Sequence, residues 1–204
     1  MTAPDFHQLL PGFWVWQAYD SSVKVDLFSS AILTSAGIYI VDPIPLDDAD
    51  LRELSQAARI AGIIVTNANH LRASSAYSDR FSAPILADPR SFPDLKPARF
   101  AEAKNGAAIG GEFEVIQVEG AVAGEIALYH PLNGGTLIFG DALINFEPYG
   151  FCLLPRKYCL NEKQMRSSLR SLLTRSAERM LFAHGMPILS GATARLQQLL
   201  GADH

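Results

Sequence analysis

Apolar residues in the first quarter of the chain come in short runs over 13–19, 24–34 and 37–41, broken by turn-forming residues. That pattern predicts three strands, with Thr34-Ser35-Ala36-Gly37 as a hairpin connection. Asp47-Asp48-Ala49-Asp50 then places acidic groups at the start of a helix, whose apolar face is Leu51, Leu54, Ala57, Ala58 and Ile60. The continuous β-branched run over 60–66 reads as a strand buried on both faces. A polar loop over 67–72 follows, then a helix from Ser74 or Ser75, a strand over 84–87 and an irregular, proline-rich stretch over 88–99. The second half repeats the sense of the first. Strands are expected over 111–118, 125–129 and 136–139, the last two joined by the turn-forming Asn133-Gly134-Gly135. A helix over 162–175, a strand over 179–183 and a helix over 191–200 complete the chain. Each half therefore runs strands, helix, strand. The fold class expected is α/β, two sheets face to face with helices outside, a four-layer αβ/βα sandwich in a single domain over 1–204.

Composition narrows the function. The 204 residues carry 17 basic and 21 acidic side chains, a formal net charge of −4, which argues against a nucleic-acid partner. No apolar run is long enough for a membrane span, and the start has no basic-then-apolar leader pattern, so neither membrane nor secretion is expected. Two cysteines, Cys152 and Cys159, are too few for a disulfide framework or a thiolate metal site. A reduced cytoplasmic protein is the expectation, with a small-molecule ligand or substrate and room for a homo-oligomer. Cys152 and Cys159 lie beside Arg156 and Lys157, which can lower a thiol pKa, but semi-buried packing is their plainer reading. No nucleophile elbow and no phosphate-cradling loop is present.

In sheets covered by helices, ligands sit in loops at the carboxyl ends of strands. Three such loops carry chemistry: Thr66-Asn67-Ala68-Asn69-His70-Leu71-Arg72, Gly140-Asp141-Ala142-Leu143, and His184-Gly185-Met186-Pro187. Phe146 to Pro155, aromatic and apolar, follows the second of them and reads as a lid, a pocket wall or an oligomer contact.

These loops, with Val41-Asp42-Pro43 before them and Gly124-Glu125-Ile126-Ala127-Leu128-Tyr129 between them, occur in an order that resembles the metallo-β-lactamase superfamily, which includes glyoxalase II-like hydrolases. The resemblance implies a dinuclear metal site, and its ligand positions fall on Asn67, Asn69, Leu71, Arg72, Ala121, Asp141 and His184. Only Asp141 and His184 keep a family ligand type. Asparagine offers a neutral oxygen, and Leu71 and Ala121 offer nothing, so the inherited dinuclear site is expected to be gone and no cofactor is expected. Arg72 is expected to fill a vacated metal position and pair with Asp141, since an ionised carboxylate left alone in a cleft is costly. His70 corresponds to a residue between ligands and is expected to point away from them. The leading reading is a degenerate relative that binds a small ligand or partner through Asn67, Asn69, His70 and Arg72 beside Asp141 and His184. An alternative is a hydrolase of a small ester or thioester-like substrate, with one Zn, Mn or Fe ion on Asp141, His184 and Asn69 or His70. A third is metal-free acid–base catalysis by His184 with Asp141 as its orienter.

Overall fold

The computed structural model describes residues 5–22 and 24–201. One sheet has seven strands in chain order: β1 (Asp5–Leu10), β2 (Phe13–Asp20), β3 (Val25–Thr34), β4 (Gly37–Val41), β5 (Ile60–Ile64), β6 (Ile85–Ala87) and β7 (Phe100–Glu102). It is antiparallel through β4 and parallel from there on. The parallel half needs crossovers, which α1 (Asp48–Ala57) and α2 (Ser74–Phe81) supply. Asp47 caps α1, accepting from the backbone N–H groups of Ala49 and Asp50, so the acidic cluster does what acidic residues do at a helix start.

The second sheet holds β8 (Ala108–Ile109), β9 (Phe113–Gln117), β10 (Ile126–His130), β11 (Thr136–Phe139) and β14 (Arg179–Phe182), in the order β14-β11-β10-β9-β8. Its outer face carries α3 (Glu162–Ser171) and α4 (Ala192–Gly201). Between β11 and β14 the chain makes a separate two-stranded hairpin, β12 (Leu143–Phe146) and β13 (Gly150–Leu153). The sequence pattern misses β1, β7, the two-residue β8 and this hairpin. β1 and β7 are edge strands of the first sheet, largely exposed or half-buried, so neither shows an apolar run or clean alternation. The second strand of the hairpin lies in the segment read as a lid, wall or contact, which starts at the last residue of β12.

Three apolar layers follow from this order. Phe13, Val15, Ile32, Val41 and Ile64 of the first sheet pack against Phe113, Val115, Ile126, Leu128, Ile138 and Leu181 of the second. Trp16, Ile40 and Ile63 pack outward with Leu51 and Leu54 of α1. Leu137, Phe139 and Phe182 pack outward with Met165 and Leu169 of α3 and Leu196 of α4. The α/β sandwich expected from the sequence is the fold observed. No helix among the described residues is long and apolar enough to cross a membrane.

The two sheets are also tied at one end. His130 Nε2 lies 3.1 Å from Glu112 Oε2, and the other oxygen of Glu112 accepts the Ser35 N–H at 2.7 Å. His130 is wedged between the Phe13 and Phe113 rings, and its buried Nδ1 has no hydrogen-bond partner among the described residues. Burial pushes its pKa below the ordinary value, and the Glu112 carboxylate only partly offsets this. An unfolded histidine titrates near ~6.5, so His130 favours the fold above that pH and opposes it as pH falls toward its lower folded value. His130→Gln is therefore expected to flatten the loss of thermal stability between about pH 6.5 and 5. Melting curves across that range for both proteins check it; parallel pH profiles would refute it.

Candidate metal centre

At the opposite end of the sandwich, the carboxyl ends of β4, β5, β11 and β14 deliver Asp42, Thr66, Asp141 and His184. Ile126 N–H donates to Thr66 O at 2.8 Å, which brings the first sheet's loop against the second sheet's start of β10. The 67–72 loop is a tight turn. Asn67 Oδ1 accepts from Asn69 N–H at 2.8 Å, and Asn67 O accepts from His70 N–H at 3.1 Å. That turn swings the residue 70 side chain inward.

His70 is 2% exposed and sits at the centre of the site. Its Nδ1 is 2.9 Å from Asp42 Oδ2 and 2.9 Å from Thr66 Oγ1. Asp42 also accepts from the Thr66 N–H at 2.8 Å and the Thr66 hydroxyl at 2.6 Å. His70 Nε2 faces Asp141 Oδ1 at 3.2 Å and His184 Nε2 at 3.3 Å, and His184 Nε2 is 3.3 Å from that same Oδ1. Asn69 Nδ2 donates to the other oxygen, Asp141 Oδ2, at 3.0 Å. The expectation that His70 points away from the ligand positions is therefore corrected: the turn at Asn67 brings its Nε2 against Asp141 and His184. Leu71 turns out to pack against the apolar layer of the first sheet's outer face.

The expected Arg72–Asp141 pair does not form. The Arg72 guanidinium donates to Phe28 O at 2.7 Å, Asp42 O at 3.0 Å and Ala183 O at 3.3 Å, all backbone carbonyls. Asp141 already has two imidazoles and the Asn69 amide, so it has no need of an arginine. Asn67 turns away too: its Nδ2 donates to Glu125 Oε2 at 2.6 Å, while Glu125 Oε1 accepts the Ala142 N–H at 3.0 Å. Ala121 lies in the outer apolar layer of the second sheet. Of the residues proposed to bind through the cleft, the structure gathers Asn69, His70, Asp141 and His184. It turns Asn67 and Arg72 to other partners.

Asp42 and Glu125 are the residues that sequence reading leaves out. Val41-Asp42-Pro43 was visible as a motif, but nothing local says that the carboxylate reaches a histidine 28 positions on. Glu125 stands in an apolar run and looks like an exposed strand residue until its burial at 1% is seen.

Electrostatics follow from this packing. Burial pushes His70 toward its neutral form, but the Asp42 and Asp141 carboxylates outweigh it and lift the imidazole to about 9. Burial alone would raise Asp141; the two imidazoles instead hold it far below the usual carboxylate range. His184 is held below its ordinary value, chiefly by burial, against the pull of Asp141. Glu125 is pushed up to about 8 by burial and by the Asp141 charge. Both cysteine thiols are pushed up by burial, which removes any sign of a reactive thiolate.

The three converging atoms fit a cation. Two imidazole nitrogens and one carboxylate oxygen, 3.2 to 3.3 Å apart, are the donor types of a zinc site. Tetrahedral zinc with bonds of ~2.0–2.1 Å spaces its donors ~3.3–3.4 Å apart, whereas octahedral neighbours at the same bond length lie ~2.8–3.0 Å apart. His70 has also spent Nδ1 on Asp42, the arrangement in which a carboxylate orients a ligating histidine. With its pKa raised, His70 without an ion carries a second proton on Nε2 facing Asp141 Oδ1, and a bound cation would take that proton's place. His70, Asp141 and His184 are the group of metal-ligating side chains that stands out among the described residues.

A family model described as the metallo-beta-lactamase superfamily matches residues 7–202. The chain belongs to the metallo-β-lactamase superfamily. Solved metallo-β-lactamase structures share its fold at low sequence identity. The enzyme DIM-1 is 15% identical with a TM-score of 0.73, covering 98% of each chain. A metallo-β-lactamase from Erythrobacter litoralis, with beta mercaptoethanol in the active site, is 17% identical with a TM-score of 0.75, covering 100% of this chain and 98% of its own. A metallo-β-lactamase family protein from Thermus thermophilus is 17% identical with a TM-score of 0.68, covering 95% of this chain and 80% of its own. Among curated proteins, none matches.

Proposed function

We propose that this protein holds a single divalent metal ion on His70, Asp141 and His184 and hydrolyses a small ester or thioester-like substrate. The observation that carries the reading is the convergence of His70 Nε2, His184 Nε2 and Asp141 Oδ1 with mutual distances of 3.2 to 3.3 Å. An ion bound there supplies Lewis acidity and lowers the pKa of a water molecule toward neutrality. The chain's own residues do the rest. Asp42 accepts a hydrogen bond from His70 Nδ1–H and fixes which nitrogen faces inward, and Thr66 holds Asp42 from two sides. Asn69 occupies Asp141 Oδ2, so Oδ1 is the oxygen presented to both imidazoles. The His184 side chain is 16% exposed and that of His70 2%, so a substrate approaches from the His184 side and the His70 side stays dry. Donors of this kind suit zinc and, as two histidines and one carboxylate, also ferrous iron.

The replaced positions at Asn67, Asn69, Leu71, Arg72 and Ala121 favour the other reading, a cleft that binds without hydrolysis. One experiment separates the two. Protein purified without chelator is loaded with Zn²⁺, Mn²⁺ or Fe²⁺, desalted, and assayed for metal content and for hydrolysis of 4-nitrophenyl acetate and a simple acyl thioester. One retained ion per chain, with turnover that Asp141→Ala removes, supports the hydrolase. Absence of retained metal would refute it and leave the ligand-binding cleft.

A further inference from the structure

We propose that Arg72 is a positioning residue of the metal centre, its guanidinium tying together the segments that carry Asp42 and His184 and so setting the gap between the two imidazoles. This rests on the single-ion reading above. Arg72 stands at a family ligand position yet touches neither Asp141 nor a histidine. Nη1 donates to Phe28 O and Asp42 O, and Nη2 donates to Ala183 O. Asp42 is the residue that orients His70, and Ala183 is the residue before His184. One planar cation therefore bridges β3, the end of β4 and the end of β14, behind the donor atoms and not among them. Its backbone adopts a φ of +38°, a conformation that side chains other than glycine adopt at a cost. Three carbonyls bound at fixed angles hold it there.

The arrangement separates positioning from mere cohesion. Ala183 O also accepts the Phe28 N–H at 2.9 Å, so β3 and β14 remain joined when the arginine is gone. Ser29 Oγ donates to Asp42 O at 2.6 Å, so Asp42 also stays tied to β3. What is lost is the one rigid group that holds Asp42 O and Ala183 O at a fixed separation, and with it the register of His70 against His184. Lysine keeps the charge but is a single point donor that cannot span three carbonyls in one plane.

Arg72→Lys and Arg72→Gln are the variants to make, with Co²⁺ as the probe on the full chain. Competition against a chromogenic chelator gives the affinity, and the visible absorption of bound Co²⁺ reports donor geometry. The expected result is an affinity ~10–100-fold weaker and an altered Co²⁺ spectrum, with the metal-free melting temperature moving by only a few degrees. Unchanged affinity and spectrum would overturn the proposal. So would a drop in melting temperature without either change, which is the signature of a purely structural arginine. Wild-type protein that binds no Co²⁺ would instead remove the metal reading on which the proposal stands. Should both variants fail to fold, ¹⁵N-arginine spectra of the wild type decide: the guanidinium resonances of Arg72 shift on Zn²⁺ addition if it is coupled to the site, and stay put if it is not.

Discussion

Replacing His70 with alanine is expected to weaken zinc binding by at least ~100-fold, because even losing a group that merely orients a ligand costs 10–100-fold and His70 is itself a donor. The same change removes the partner of a buried carboxylate. Asp42 keeps its two Thr66 bonds but loses the imidazole 2.9 Å away, and breaking a buried charged pair costs about 3–5 kcal/mol. The metal-free variant should therefore also unfold at lower urea, so the affinity is best confirmed with a second, gentler change. Asp141→Asn keeps the shape and removes the charge shared by both histidines, and it is expected to lose zinc to a similar degree. His130→Gln, at the far end of β10, is the control and should bind like the wild type. The outcome is discriminating. Were residue 70 the spacer between ligands that the family pattern suggests, its loss would leave metal affinity nearly unchanged.

Gly185→Ala should destabilise the metal-free protein by about 3 kcal/mol or more and loosen the centre at the same time. Gly185 has a φ of +106°, where a side chain is strained whatever the space around it. There is also no space: a Cβ there would lie 2.0 Å from Asn145 O and 2.2 Å from its carbonyl carbon. Those atoms belong to the hairpin clamp, in which Asn145 N–H donates to His184 O at 3.0 Å and Met186 N–H donates to Asn145 O at 2.9 Å. Either β12 backs away and both bonds break, or the residue 184 backbone turns and carries its imidazole off Asp141. Backbone strain of ~1–3 kcal/mol and about 1 kcal/mol for each lost bond give the expected total. Urea unfolding and Co²⁺ binding measure the two effects. Gly150→Ala is the reference: φ is +62°, but nothing lies within 4 Å of its Cβ, so only the smaller backbone cost of ~1 kcal/mol is expected. Equal effects at both positions would mean that the hairpin does not support His184.

These two positions show how far local pattern reaches. Gly185 is visible in the sequence only as part of His-Gly-Met-Pro, and its need for a positive φ depends on a strand arriving from forty residues earlier. His70 was assigned its place by counting along a family motif. Counting fails here because Asn67 closes a tight turn on Asn69 and His70, and a single residue's change in the turn exchanges inward for outward. Arg72 shows the same limit with the opposite result. Electrostatic reasoning pairs it with Asp141, the carboxylate that a vacated metal position would leave uncompensated, but three backbone carbonyls claim the guanidinium and two imidazoles satisfy the acid.

What the sequence determined by itself was the architecture: the β-branched run of β5, the acidic start of α1, the Asn-Gly-Gly turn before β11 and the places of α3 and α4 in the chain order. These are consequences of hydrophobic period and turn chemistry, which act over a few residues and read directly along a chain. It also placed Asp141 and His184 at strand ends, where such sheets open to ligands. The identity of the third donor, the carboxylate that orients it, the amide that turns Asp141 and the work of Arg72 were decided only by the tertiary structure. Each is a hydrogen bond between groups 28 to 111 residues apart, and such partners are chosen by burial, where every polar group must find one and takes the nearest that packing presents.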